Sequence, residues 1–278
     1  HGDHPCHKPA NHALESRHCA HLYATREFSL YANRHFRKQS RAITLDFPVF
    51  SLDEPLGPGH GDHFVLIKNV TPPSDIAQQW KQKLNGPSFD LYMAAAETLK
   101  AMLGQKHRVD IHPVMDDVLA HFKGENLAPL AGMDAYHQFH SQLDFYVRNF
   151  TSVTILDELE DIPLHVYGRG WNAFAATGNP HHQFHGPRDM AFSQSLYYSR
   201  YGIVDVTPSM TGIHDRTARA MRNETPFVSS AYLPGFLPDM SPYEPLFYKF
   251  SGHDLRAKCE AVMADPEGNI LAMAQRPS

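Results

Sequence analysis

Pro163-Leu-His-Val-Tyr-Gly-Arg-Gly-Trp171 sets the fold class, because a short apolar run stops there at two glycines. Leu164 to Tyr167 is too short for a helix and is bounded by turn formers, so it reads as a buried strand. Gly168 and Gly170 let the backbone turn sharply around Arg169, whose guanidinium can meet phosphate oxygens in a fork. The same residues also suit an ordinary glycine turn with a solvated arginine and a packing Trp171. GxGxxG is incomplete here, so this is not a dinucleotide fingerprint.

The strand-loop-helix rhythm continues on both sides of this segment. Upstream, Phe64-Val-Leu-Ile-Lys-Asn-Val70 is another buried-strand run. Downstream, Met190 to Tyr201 reads as helix, Ile203-Val-Asp-Val206 as strand and Ile213 to Arg222 as helix. Pro226-Phe-Val-Ser229 and Leu246 to Phe250 follow as strands, and Asp254 to Met263 as helix. Such alternation builds a parallel α/β sheet. Between the first two strands three helical patterns appear. Ile76, Trp80 and Leu84 share one face, as do Leu91, Ala95, Leu99 and Met102. Tyr136, Phe139, Leu143, Tyr146, Val147 and Phe150 mark a third helix, giving a helical insertion at about 72–159.

Nearer the amino end, Cys19 to Thr25 reads as strand. Arg26 to Arg37 is a helix carrying Phe28, Tyr31, Ala32 and Phe36, and Ala42 to Leu45 is again strand-like. Pro55, Gly57, Pro58, Gly59 and Gly61 form the densest breaker cluster, read as a linker. The expected organisation is a partial Rossmann-like unit over 1–55, a linker over 56–63 and a larger Rossmann-like domain over 64–278. The opening His-Gly-Asp-His-Pro reads as the end of a strand whose beginning is missing, so truncation at the amino end is expected.

Composition narrows the function classes. Of the 278 residues, 42% are hydrophobic and 20% charged, enough apolar material to exclude a disordered chain. The net charge of −5 provides no global positive field for nucleic acid. Uncharged stretches are broken too early for a membrane span. Three cysteines, Cys6, Cys19 and Cys259, contain no CxxC pair, which favours a reducing, cytoplasmic setting over a disulfide scaffold.

Three loops beyond strand ends carry candidate chemistry, since open α/β sheets bind ligands there. Besides Gly168 to Asn172, the segment Ser209-Met-Thr-Gly-Ile-His-Asp-Arg216 precedes a helix. Ser209, Thr211 and Gly212 can cap and open it, leaving amides for a phosphate, with Ile213, His214, Asp215 and Arg216 beside them. An arginine in a first turn opposes the macrodipole, and an anionic ligand there would explain it. A solvent-facing first turn fits the composition equally. Asp3-His4-Pro5 could supply a general base, each group tuning the other's protonation, or be simply solvated. Glu244 could accept hydrogen bonds from sugar or ribose hydroxyls, or be an exposed loop acid. Histidine, with 20 residues, invites a search for metal ligands. His1, His4, Cys6 and His7 form one cluster and His181, His182 and His185 another. Their crowding within a few residues matches no recognised Cys/His spacing, so no dedicated metal site is expected.

Leu143-Asp-Phe-Tyr-Val-Arg148 leading to Pro163 through Trp171 resembles the central signature of the spore-maturation-protein-like (CgeB-like) glycosyltransferases. So do Gly202-Ile-Val-Asp-Val-Thr-Pro, Gly212-Ile-His-Asp-Arg216 with Ala220-Met221, the early Asp3-His4-Pro5, and Asp254-Leu through Ala264-Asp-Pro266. The similarity thins between Pro72 and Gln142. It implies a GT-B architecture of two Rossmann-like domains facing a cleft, with a nucleotide-diphosphate sugar held mainly by the second. It implies that no cofactor or metal is required, that Arg169, His214 and Arg216 bind diphosphate, and that the acceptor is an unspecified glycan, lipid or protein. Asp3 or His4 would be the cleft base. Two positions depart from the family pattern. Arg219 stands where relatives carry Glu, and Arg222-Asn-Glu-Thr225 replaces an Ala-Cys-Gly turn. Those departures motivate an alternative, a non-catalytic nucleotide-sugar or carbohydrate-binding protein. A His-rich copper or zinc protein is the third reading.

Overall fold

The computed structural model describes residues 20–23, 41–44, 61–105, 110–122, 133–188, 199–206, 214–223, 225–230, 241–249 and 254–265. Strands β1 (Ala20–Tyr23) and β2 (Arg41–Thr44) pair in parallel as a two-stranded unit, in the segments read as strands. The expected helix between them lies outside the described residues.

Six further strands form one parallel sheet. They are β3 (Phe64–Ile67), β4 (Leu164–Tyr167), β5 (His182–His185), β6 (Ile203–Asp205), β7 (Phe227–Ser230) and β8 (Phe247–Tyr248). Their spatial order is β5-β4-β3-β6-β7-β8, and every pairing is parallel. Counted within the sheet, that is the 3-2-1-4-5-6 order of doubly wound Rossmann folds. The order reverses between β3 and β6, so a ligand crevice is expected beyond the carboxyl ends of those two strands. The central strand β3 is wholly apolar and buried over Phe64 to Leu66, as expected where both faces of such a sheet are covered.

Between β3 and β4 lie four helices: α1 (Pro73–Lys83), α2 (Gly86–Gln105), α3 (Ile111–His121) and α4 (Met133–Glu158). Each start has a local cause. Pro73 occupies the first position of α1, where a missing N–H costs nothing. Asn85 accepts from the Ser88 amide at 2.9 Å, and Asp110 from the His112 amide at 3.0 Å. The four helices share a core of Trp80, Leu91, Leu99, Met115, Phe139 and Leu143, separate from the sheet's core. Trp80 packs on Tyr92 and Tyr146 and donates to Gln142 at 3.0 Å. Helix α4 joins both cores. Its first half packs in the bundle, and Ile155 and Leu156 pack with Phe64, Leu66 and Val166. The insertion therefore leaves from the carboxyl end of β3 and is fixed to the sheet by one continuous helix.

The remaining elements cover the sheet. Short α5 (Asn172–Ala175) packs on β5, and α6 (Asp215–Arg222) on β6 and β7. Helix α7 (Asp254–Met263) packs on β7 and β8 through Leu255, Cys259 and Val262. Its bounds match the sequence expectation. The expected helix over Met190 to Tyr201 falls mostly outside the described residues; 199–201 form a turn. Among the described residues no helix is long and apolar enough to cross a membrane.

Histidines make an unexpected contribution to one sheet face. His63 stacks on His165 with ring centroids 3.7 Å apart, and His165 lies 5.1 Å from His185. His185 in turn stacks on Tyr167 at 4.4 Å. Gly61 and Asp62 are tied down beside them, because the Arg200 amide donates to the Gly61 carbonyl and Arg200 pairs with Asp62. The end of the expected linker thus packs against the sheet domain.

Desolvation, then the neighbouring His63 and His185, pull the His165 pKa down to about 4. Burial also lowers His63 and His185; Asp62 opposes the shift at the first, and Arg188 adds to it at the second. The unfolded chain therefore binds more protons than the folded one as pH falls from about 6.5. Stability is expected to be whole above that pH and to decline progressively toward pH 4. Thermal melts at pH 7.5 and 4.5 should show a smaller acid loss for His165→Gln than for wild type. An unchanged pH slope would mean that the stacked histidines titrate alike in both states.

Candidate functional site

Strand β6 carries an acid, Asp205, in an otherwise apolar run, at the carboxyl end that borders the crevice. Its side chain is 2% exposed, so it survives as a carboxylate only if the fold supplies cations and donors. The fold does so from several elements. Arg216, in the first turn of α6, reaches Oδ1 through Nη2 at 3.0 Å and Nε at 3.3 Å. His214, the residue capping α6, brings Nδ1 to 3.3 Å from Oδ2. Thr217 donates to Oδ2 at 3.2 Å, and its hydroxyl lies 2.9 Å from that of Ser229 on β7. With one proton each, the Ser229 hydroxyl supplies that second bond. Tyr248 of β8 donates to the Asp205 backbone carbonyl at 3.1 Å.

The role of His214 depends on its tautomer. Nδ1 is 3.3 Å from both the carboxylate and the Arg216 amide, while Nε2 is 3.3 Å from Arg216 Nη2. Nδ1 can donate to the carboxylate or accept from the Arg216 amide as the helix cap, and Arg216 Nη2 lies within hydrogen-bond reach of both Asp205 and His214. Desolvation pushes the Asp205 pKa up, but Arg216, His214 and Lys68 pull it down further, so the net shift is below the usual carboxylate range.

Lys68 follows β3 directly across the switch point, and its Nζ donates to the Val206 carbonyl at 3.4 Å. Its backbone is held by the Gly168-Arg169-Gly170-Trp171 segment. The Lys68 amide donates to the Tyr167 carbonyl and the Val70 amide to the Arg169 carbonyl, each at 2.9 Å. The Arg169 amide donates to Asn69 Oδ1 at 2.8 Å, and buried Trp171 donates to the Lys68 carbonyl at 2.7 Å. The parallel ladder thus runs past the strand ends into the crevice edge. The Arg169 side chain is exposed there.

The site residues expected from sequence divide clearly. Arg169, His214 and Arg216 lie on the loops and helix bordering the crevice, and His214 and Arg216 touch. Helix α6 opens at Asp215 with His214 as its cap, two residues later than Gly212. Ser209, Thr211, Gly212 and Ile213 lie outside the described residues, as do Asp3 and His4. Asp215 is the first residue of α6. Glu244 is exposed in the turn before β8, and its carbonyl accepts from Lys258 at 3.4 Å. His182 is buried with Nε2 on the Leu159 carbonyl at 2.8 Å, apart from exposed His181 and stacked His185. Among the described residues no group of three or more His, Cys, Asp or Glu can hold a metal ion.

Two members were not singled out by sequence. Asp205 was legible in principle, because an acid inside a buried strand demands a cation elsewhere. Lys68 had no local signal; only the strand order brings it to β6. No family model, curated protein or solved structure matches this chain.

Proposed function

We propose that the crevice between β3 and β6 binds a nucleotide-diphosphate sugar and that the protein is a glycosyltransferase of GT-B type. The observation that carries this reading is the convergence of Lys68 and Arg216, with His214, around the single buried carboxylate of Asp205 at the switch point. Lys68 and Arg216 line the crevice around that carboxylate, and exposed Arg169 stands at its edge. Basic side chains so placed at a switch point suit the oxygens of a diphosphate. In the transfer, the acceptor hydroxyl oxygen forms a bond to the anomeric carbon while the bond from that carbon to the diphosphate breaks. The diphosphate leaves with the electron pair, and Lys68, Arg169 and Arg216 stabilise its charge. Asp3 or His4 is the proposed group that takes the acceptor's proton.

The alternative of a non-catalytic nucleotide-sugar binder draws on a different observation. Asp205 already occupies Arg216 and His214, so these two can serve the fold without serving a reaction.

Calorimetric titration with UDP, GDP and ADP tests the reading. Binding by at least one is expected. Arg169→Ala should weaken it by roughly 1.5–3 kcal/mol, the range for a hydrogen bond to a charged group. Folded protein that binds none of the three would sink the donor site. Binding without sugar transfer to any acceptor of a broad panel would favour the alternative.

A further inference from the structure

Helix α4 buries Asn149, Ser152 and Leu156, and Leu159 follows at the same spacing of three and four residues; Leu156 and Leu159 belong to the sheet's core. Leu159 continues the helix's last turn, its amide bonding to the Ile155 carbonyl. One step earlier in that spacing stands Phe145, which is 41% exposed. It is the one large hydrophobic side chain so exposed among the described residues. Lone surface phenylalanines are common, so position decides whether this one matters.

Because α4 leads into the start of β4, it runs against the strand direction, and its earlier residues stand nearer the carboxyl edge. Asn149 marks that edge: its Oδ1 accepts from the amide of Thr71, just past the end of β3, at 2.6 Å. Phe145 lies one turn beyond, about 5–6 Å along the axis. The stripe therefore continues past the end of β3, where no described strand lies beneath it. This extension is rigid. Asn149 Nδ2 donates to the Phe145 carbonyl at 2.7 Å, and Phe139, Leu143 and Tyr146 lock the other face of the helix into the bundle. Val70, beside Thr71, donates to the Arg169 carbonyl, which ties the Asn149 end of the helix to the loop that carries Arg169.

We propose that Phe145 is the platform on which the base of a bound nucleoside diphosphate stacks. This rests on the diphosphate reading above and names the part of the ligand that reading leaves unplaced. The nearby polar groups are already engaged, Asn149 by Thr71 and Arg148 by Asp144 at 2.8 Å. A bare aromatic face suits a planar base better than a hydroxyl-rich sugar ring. Stacking of this kind discriminates little among bases, since every base has a π-face.

Calorimetry with UDP, GDP, ADP and inorganic pyrophosphate on wild type, Phe145→Ala and Phe145→Trp tests it. The alanine variant should bind all three nucleotides roughly tenfold more weakly. Pyrophosphate affinity and melting temperature should stay at wild-type values, and the tryptophan variant should retain nucleotide affinity. Unchanged nucleotide binding by Phe145→Ala overturns the proposal, and so does an equal loss toward pyrophosphate. Wild type that binds pyrophosphate as tightly as nucleotides also overturns it while leaving the anion site standing. Wild type that binds neither removes the diphosphate reading and this proposal together.

Discussion

Asp205→Ala is expected to destabilise the fold by about 3–5 kcal/mol, the range for removing one partner of a buried ion pair. In a domain of this size that lowers Tm by on the order of 10 °C. The loss comes less from the bonds removed than from what stays behind. Arg216 keeps its place beneath α6, only partly exposed, and faces Lys68 with no carboxylate between them. Thr217 and His214 lose their acceptor in the same step.

Replacing the pair differs from breaking it. Asp205→Leu combined with Arg216→Met should recover part of the stability, because the guanidinium is no longer buried without its carboxylate, while Thr217, His214 and Lys68 still lack theirs. A double variant as unstable as the single would assign the loss to packing. The pH dependence gives an independent check. The Asp205 pKa is lowered from 3.8, so its contribution is whole above that pH and fades only as pH falls through the depressed value. Urea melts should therefore show the difference between wild type and Asp205→Ala still present at pH 5 and shrinking as pH falls through the depressed Asp205 value.

The network also says which parts of this chain can be read from sequence. Strands β4, β6 and β7 and helix α7 were legible because apolar runs and helical periods end there at glycine, proline or acid. Strand β5, His-Gln-Phe-His, was not: an edge strand with polar residues on its open face lacks the apolar run that marks its neighbours. Helix α3 was missed because Pro113 reads as a breaker. It sits at the third helical position, where its absent N–H has no helical partner to lose. For the site, Arg216 in a first turn pointed to an anionic ligand. The anion the structure places there is the chain's own Asp205, eleven residues earlier. Local spacing could not decide between an internal carboxylate and an external phosphate, since both answer the same electrostatic need. Lys68 illustrates the other limit, because its partner strand is adjacent only through the 3-2-1-4-5-6 order.

Gly170→Ala should be a damaging change for a single methyl group, destabilising by roughly 2–4 kcal/mol from backbone strain and forced displacement together. Gly170 has φ +88°, and a Cβ there would lie 1.7 Å from the Val70 carbonyl oxygen. Backbone cannot step aside as a flexible side chain can. Residues 68–70 or 168–170 must move, and with them the bond from the Val70 amide to the Arg169 carbonyl. Gly168, with φ +143° and a Cβ position 2.0 Å from the Lys68 carbonyl oxygen, is under the same constraint. The glycines around Arg169 thus serve close approach of two chain segments, and that approach sets where Lys68 stands at the crevice. Gly178→Ala isolates the conformational part of the cost. Its φ is +69°, yet nothing lies within 4 Å of the added carbon, so about 1 kcal/mol is expected. The difference between the two variants in urea melts measures the price of separating the segments. Equal losses would show that the contact at Val70 relaxes freely. In that case Gly170→Ala should also leave nucleotide affinity untouched, whereas a displaced Lys68 would weaken it along with the fold.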